Sequence, residues 1–427
     1  RVLFISYTGL IEPLGRSQVL PYVCGLDSGV RMSVLSFEKP VHGTWEDALA
    51  RAQVGRELAE QGIEWIRLRY HKQPSLLATL FDIAHGLWQS ARRHRHEPFA
   101  LVHARGYVPA AIAWGLKRRC GIPYVFDIRG LQAEESADAG QWRRWGLRFR
   151  LTKAMEQRLL AEADGLVTLT EAIRSHVHAL PGLVRRTDQP PWEVIPSCVD
   201  LERFQFHPEG RERVRAALGL GERPMIVYAG SVGTWYLLDE MLAFYAAARR
   251  TFPDLFLLVL SNHAPALIGA AMRRQGVPEE VVAVRQVRFE QMPDYLSAAD
   301  AGLVFIRPCL SKRSSSPTKV AEYLACGVPV IANAGIGDLD ALIRNTHIGV
   351  LLPELNQPAY EAALPQLMRL WSDRGALRHR CRAVAEERFA LEHGVARYRR
   401  LYDRLLGRSA QAVSAREDAS AVVGAIS

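Results

Sequence analysis

Short runs of consecutive apolar residues, separated by longer stretches of helical periodicity, set the rhythm of this sequence. Val2–Tyr7, Met32–Phe37, Ile63–Leu68, Leu101–His103, Tyr124–Ile128 and Leu166–Leu169 read as buried strands, with helical patterns between them. A strand that is apolar on both faces belongs in a parallel sheet with helices on each side. A second alternation starts at Met225–Ala229 and continues through Leu255–Leu260, Val282–Val287 and Gly302–Ile306. The pattern predicts an α/β chain with two Rossmann-like halves, over 1–205 and 206–390, joined near His207–Arg213, a helix start or linker. Helical periodicity dominates after Leu351, and Tyr398, Leu401, Tyr402 and Leu405 fall on one face, as core packing requires. The segment 391–408 is expected to be a helix returning to the first half, and the small, polar segment 409–427 a disordered tail.

The stretch Ser314–Asn333, SSSPTKVAEYLACGVPVIAN, organises the second half. Ser316 reads as an N-cap, Pro317 as the first residue of a helix running to Cys326, Gly327 as its left-handed stop, and Val328–Ala332 as the next strand. Free amides at such a start, up to that of Thr318, favour an anion, and the hydroxyls of Ser314, Ser315 and Ser316 add donors suited to a phosphate. Lys319 sits in the first turn, where a cation opposes the helix dipole by roughly 0.3–1 kcal/mol unless an anion is present. Glu322 follows on the same face, where a carboxylate can accept from two adjacent sugar hydroxyls. The competing structural reading is a capped surface helix with a Lys319–Glu322 pair worth a few tenths of a kcal/mol.

In open sheets, ligands collect at the carboxyl ends of the strands. There the first half places Gly15 and Arg16 in a loop, His103 and Arg105 after one strand, and Asp127 and Arg129 after another. A structural ion pair or loop cap is the alternative for the last two pairs. The second half has Gly230, Ser231, Gly233 and Thr234 in a glycine turn. No G-x-G-x-x-G is present, so a dinucleotide is not indicated.

Composition narrows the classes. The chain has 427 residues, 48% of them hydrophobic, enough for two or three domains. No apolar run approaches the roughly 18 residues of a membrane span. Its start at Arg1 lacks a secretory leader, so a cytoplasmic protein is expected. Six scattered cysteines suggest neither a zinc site nor a disulfide framework. A net charge of +9 favours anionic partners without choosing among nucleic acid, lipid headgroups and phosphorylated small molecules. Trp142–Arg158 interleaves tryptophans with basic residues, so peripheral docking at the inner face of an anionic membrane competes with a solvated basic face. Asp338 and Asp340 form a D-x-D, read as an N-cap and a first-turn acid rather than a metal site.

Taken together, PLGRSQVLPY, GIPYVFDIRG, ADGLVTLT, IPSCVDLERF, YAGSVGTWY and SSPTKVAEYLACGVPVIANAGIGD, in this order, resemble the retaining glycosyltransferases of family 4. The resemblance covers Val2 to Leu406 and implies a GT-B fold, two Rossmann-like domains facing each other across a cleft. The family typically carries two glutamates separated by seven residues. Glu322 matches the second, which binds the ribose, and Ser314 stands where the first would be. The basic pair that often follows the first strand of the second domain is absent around Ser231 and Thr234–Leu237. Lys319 is the first candidate for the missing charge, with Arg16, Arg307, Lys312 and Arg313 behind it; Arg129 stands at the position of a family histidine.

The resemblance implies transfer of a sugar from a nucleoside diphosphate, with a UDP-sugar the expected donor, to a hydroxyl acceptor, with retention and without metal or cofactor. Cell-surface polysaccharide or glycolipid assembly is the expected setting and a lipid-linked acceptor is compatible with it. Arg129, Lys319 and Asp127 are the catalytic candidates. Gly15, Arg16, Gly230, Ser231, Gly233, Thr234 and Ser314 through Lys319, including Pro317, with Glu322, are the donor-side candidates; His103 and Arg105 are the acceptor-side ones. A nucleotide-sugar epimerase of the same architecture and a non-catalytic sugar-nucleotide-binding scaffold are the alternatives. Nucleic acid, suggested only by charge, is not an expected partner.

Overall fold

The computed structural model describes residues 1–407 except 28, 40–44, 72, 74 and 263–264. The expected tail 409–427 lies outside the described residues. Seven parallel strands form the first sheet: β1 (Val2–Ser6), β2 (Met32–Glu38), β3 (Glu64–Arg69), β4 (Leu101–Arg105), β5 (Tyr124–Ile128), β6 (Gly165–Thr168) and β7 (Trp192–Val194), in the order β3-β2-β1-β4-β5-β6-β7. Six form the second: β8 (Met225–Ala229), β9 (Phe256–Leu260), β10 (Val282–Arg285), β11 (Ala301–Val304), β12 (Val330–Asn333) and β13 (Gly349–Leu352), in the order β10-β9-β8-β11-β12-β13. Both are covered by helices on two faces, which explains the unbroken apolar runs. The short β7 and β13 carried too little pattern to be read in advance. Both lie at sheet edges.

Strand order reverses between β1 and β4 in one sheet and between β8 and β11 in the other. These are the switch points where a crevice opens at the carboxyl ends. The helix Thr318–Ala325 connects β11 to β12, beside the second switch point. It is pinned to the sheet because Gly302 in β11 has no side chain: a Cβ there would lie 2.3 Å from the Tyr323 ring. The Tyr323 hydroxyl in turn accepts from the Ala229 amide at 2.8 Å, tying the helix to the end of β8.

The helix Leu391–Leu405 leaves the second half and packs on helix Leu20–Asp27 and β7 of the first. Two local expectations are corrected. Gly15 and Arg16 lie in a short helix, Pro13–Gln18, not a loop, and a Cβ on Gly15 would fall 1.9 Å from the Gly9 carbonyl oxygen. The glycine therefore serves backbone packing. Pro317, not Ser316, is the N-cap residue of Thr318–Ala325, since the Ser316 hydroxyl accepts instead from the Ser197 amide at 3.0 Å across the two halves.

Candidate functional site

β8 runs into Gly230, whose φ of 133° and missing side chain let the Lys319 ammonium rise beneath the turn; a Cβ there would sit 2.9 Å from Nζ. Left-handed Gly233 and Thr234 fold the chain back, so that Tyr236 bridges to Ile306. Lys319 Nζ thereby lies 4.1 Å from the ring centroids of both Tyr228 and Tyr236. It is 5% exposed and has no hydrogen-bond partner. Two aromatic faces offset part of an ammonium's desolvation, but not the loss of its hydrogen bonds. Burial brings the Lys319 pKa down to about 7, with Glu322 opposing the shift. Loss of water likewise pushes the Glu322 carboxyl up to about 7, against the pull of Lys319.

Glu322 borders a cleft of about 380 Å³ also lined by Arg16, Gln18 and Arg203. Arg16 reaches Glu290 of the second half at 3.4 Å. Ser315, Ser316 and Pro317 line a different cavity, of about 410 Å³, with Thr170, Asp338 and Arg397. The helix start and Glu322 thus open on separate spaces, whereas the sequence placed both at one ligand. Ser314 is buried and donates to the Ser311 carbonyl at 2.5 Å. Ser231 is exposed, and its carbonyl accepts from the Tyr228 hydroxyl. Of the reserve cations, Lys312 is taken by Glu135 at 2.6 Å and lies over the Trp235 ring.

The first half contributes a buried charge cluster at the ends of β4 and β5. Asp127 Oδ2 accepts from the Tyr398 hydroxyl at 3.0 Å and faces His103 Nε2 at 3.4 Å. Its Oδ1 has no hydrogen-bond partner and lies 3.5 Å from Arg129. Burial pushes the carboxyl up, yet Arg129, His103 and Arg105 together hold it well below the ordinary carboxylate range. Burial opposes the charge on Arg129, but Asp127 outweighs it and the guanidinium is held above its usual value. Arg105 donates to the Gln18 carbonyl at 3.4 Å, and burial, then Arg129, lower its pKa to about 10. Arg129, 15% exposed, is the outward member.

His103 is not placed to meet an acceptor. It is 0% exposed, stacked on Phe4 at 4.2 Å and bonded through Nδ1 to the Tyr402 hydroxyl at 2.6 Å, and burial lowers its pKa. Tyr398 and Tyr402, read from spacing as core, also supply hydroxyls to this cluster; a buried tyrosine needs a partner, which was the available signal. Tyr228 and Tyr236 were passed over because no local pattern reveals a ring pair around a distant lysine. The D-x-D takes the expected positions, an N-cap and a first-turn acid. Asp338 occupies the N-cap position of Leu339–Thr346, but its carboxylate accepts from the Glu171 and Ala172 amides, both at 2.8 Å, across the two halves. Asp340 accepts from the Gly335 amide at 3.0 Å.

The glycosyl transferase 4-like domain family matches residues 23–197, and the glycosyl transferases group 1 family matches residues 223–369. A D-inositol 3-phosphate glycosyltransferase of Rhodococcus erythropolis is 27% identical over 285 residues, covering 64% of this chain and 61% of the relative. The chain thus spans less than two thirds of that curated relative's length. Among solved structures, a sucrose-phosphate synthase of Thermosynechococcus elongatus matches with a TM-score of 0.69 and 16% identity, over 95% of this chain and 99% of the other. An Anabaena protein solved in complex with UDP and glucose matches with a TM-score of 0.67 and 14% identity, over 94% and 99%. At these identities the structural likenesses carry the fold.

Proposed function

Since the chain belongs to the family 4-like, group 1 glycosyltransferases and has their GT-B fold, we propose that it transfers a sugar from a nucleoside diphosphate to a hydroxyl acceptor with retention. The single observation that carries this reading is Lys319, a buried ammonium without a hydrogen-bond partner, one helical turn before a cleft-lining carboxylate. A buried cation left unpaired is costly, and an anion at the Gly230 turn relieves that cost. In the proposed arrangement Lys319 meets the donor diphosphate and Glu322 holds the ribose.

Departure of the diphosphate puts negative charge on its oxygens and positive charge on the sugar, so fixed cations at the phosphate lower the barrier. Lys319 serves this role, with Arg129 held in its charged form by Asp127 on the facing half. Attack from the face of departure, with the leaving phosphate drawing the acceptor proton, gives retention without a protein nucleophile. UDP is the proposed carrier, the ligand named for the Anabaena structure.

The test is thermal stabilisation by a panel of nucleoside diphosphates, without added metal. One diphosphate at a hundred times its dissociation constant should stabilise the wild type by roughly 2.7 kcal/mol. Lys319→Ala and Glu322→Ala should each abolish the effect. Stabilisation by none, or an unchanged response in both variants, overturns the assignment of this site.

A further inference from the structure

Two helices of the first half project past the carboxyl edge of its sheet on the same side. The helix Ser75–His96 is about 33 Å long at the usual rise, against roughly 17 Å for the neighbouring strand β4. Its buried Asp82 accepts from the Tyr7 hydroxyl at 2.7 Å, one residue beyond the end of β1. The first turns of this helix, ahead of Asp82, therefore lie at the carboxyl end of the sheet. The helix Leu147–Glu162 is fixed in the same way, its buried Glu156 held by the hydroxyl of Tyr107, just past β4. Both helices pack against the intervening helix Tyr107–Cys120, and right-handed crossovers put all three on one face.

The projecting ends are apolar where a solvated helix is polar. Leu76, Leu77, Leu80 and Phe81 are exposed on the first, Leu77 by 65%. Leu147 and Leu151 are exposed on the second, and Trp145, just before its N-cap Gly146, is exposed by 75%. Between residues 139 and 155 the sequence holds five basic residues and no carboxylate. Exposed Arg143, Arg148 and Arg150 form no ion pair among the described residues. Two exposed apolar helix ends on one face of the sheet, one of them edged by unpaired arginines, match a bilayer interface, where rings and aliphatic chains enter the headgroup boundary and cations meet anionic lipid. The Trp142–Arg158 stretch was legible in the sequence. Its partner helix, and the alignment of both at one rim, were not.

We propose that this double-helix rim seats the protein on an anionic lipid surface. The rim borders the carboxyl ends of the first sheet, so, resting on the function proposed above, the acceptor is an amphiphile whose hydroxyl-bearing headgroup stands out of that surface into the cleft. No helix among the described residues is long and apolar enough to cross a membrane, so the contact is peripheral.

The test is flotation of the full chain with phosphatidylcholine vesicles, with and without phosphatidylglycerol, at low and high salt. The wild type should float with the anionic vesicles at low salt and remain with the soluble fraction on neutral ones. Leu77→Ser combined with Phe81→Ser, and separately Trp145→Ser combined with Arg148→Glu, should each lower binding about tenfold or more while leaving the melting temperature unchanged. Equal binding by wild type and variants, absence of wild-type binding, or a dimer dispersed by these substitutions overturns the proposal. Flotation reads the rim without donor and diphosphate stabilisation reads the cleft without lipid, so the two readings fail separately.

Discussion

Lys319 and Glu322 leave their mark on stability as opposite slopes in pH. A lysine ordinarily titrates near 10.4, but burial brings Lys319 to about 7 in the folded chain. Between those values the unfolded chain binds more protons, so this contribution makes stability rise with pH from about 7 to about 10. Glu322, lifted from about 4.3 to about 7, does the reverse: the folded chain binds more protons in that window and stability falls as pH rises through it. Without ligand, the two contributions meet in a minimum near neutrality. Denaturant midpoints at several pH values should show Lys319→Met removing the alkaline rise and Glu322→Gln the acidic fall. A diphosphate favours the charged lysine, so its binding should take up a proton and weaken above pH 7. The lysine could be singled out from sequence because a cation in a first turn opposes the helix dipole; its tyrosine walls could not, because they lie on a strand and loop distant in sequence.

At the scale of elements, the site depends on Gly302 and Gly230, which let backbone and side chains approach. Gly230 is the sharper case, having both a left-handed φ of 133° and a neighbour, the Lys319 ammonium, at 2.9 Å from the missing Cβ. Gly230→Ala should cost about 1–3 kcal/mol from backbone conformation and also abolish stabilisation by the diphosphate. Gly276, with a φ of +64° and nothing within 4 Å of its missing Cβ, separates the two effects. Gly276→Ala should cost about 1–2 kcal/mol and leave ligand response intact. Calorimetry with and without diphosphate distinguishes them. Most strands could be read from apolar runs, since burial on both faces leaves no polar alternation to confuse. The cap of Thr318–Ala325 was misplaced by one residue because Ser316 is recruited by Ser197, a partner from the other half.

Across the whole molecule, the two halves are held together by polar contacts that the local sequence disguises as ordinary caps. Asp338 satisfies the first amides of helix Glu171–His178 in the facing half, at 2.8 Å to each. Asp338→Ala should cost about 0.5–2 kcal/mol, the usual worth of a helix cap. Its distinctive consequence should be faster amide exchange at Glu171 and Ala172, with helix Leu339–Thr346 of its own half unaffected. Slower or unchanged exchange at those two amides would show that the contact does not tie the halves.

The sequence alone determined the alternation of strands and helices, the repetition into two α/β halves, the helix bearing Lys319 and Glu322, and the basic aromatic stretch after Trp142. Each is a local property, set by side-chain period, glycine and proline placement, or charge within a few residues. Tertiary structure decided which side chains share a space: that Lys319 rises between Tyr228 and Tyr236, that the serines and Glu322 open on different cavities, and that His103 is sealed beneath Tyr402. It also aligned the apolar ends of two helices at one rim. Such juxtapositions depend on strand order and helix length, which act between residues far apart in the chain and leave no periodic trace in it.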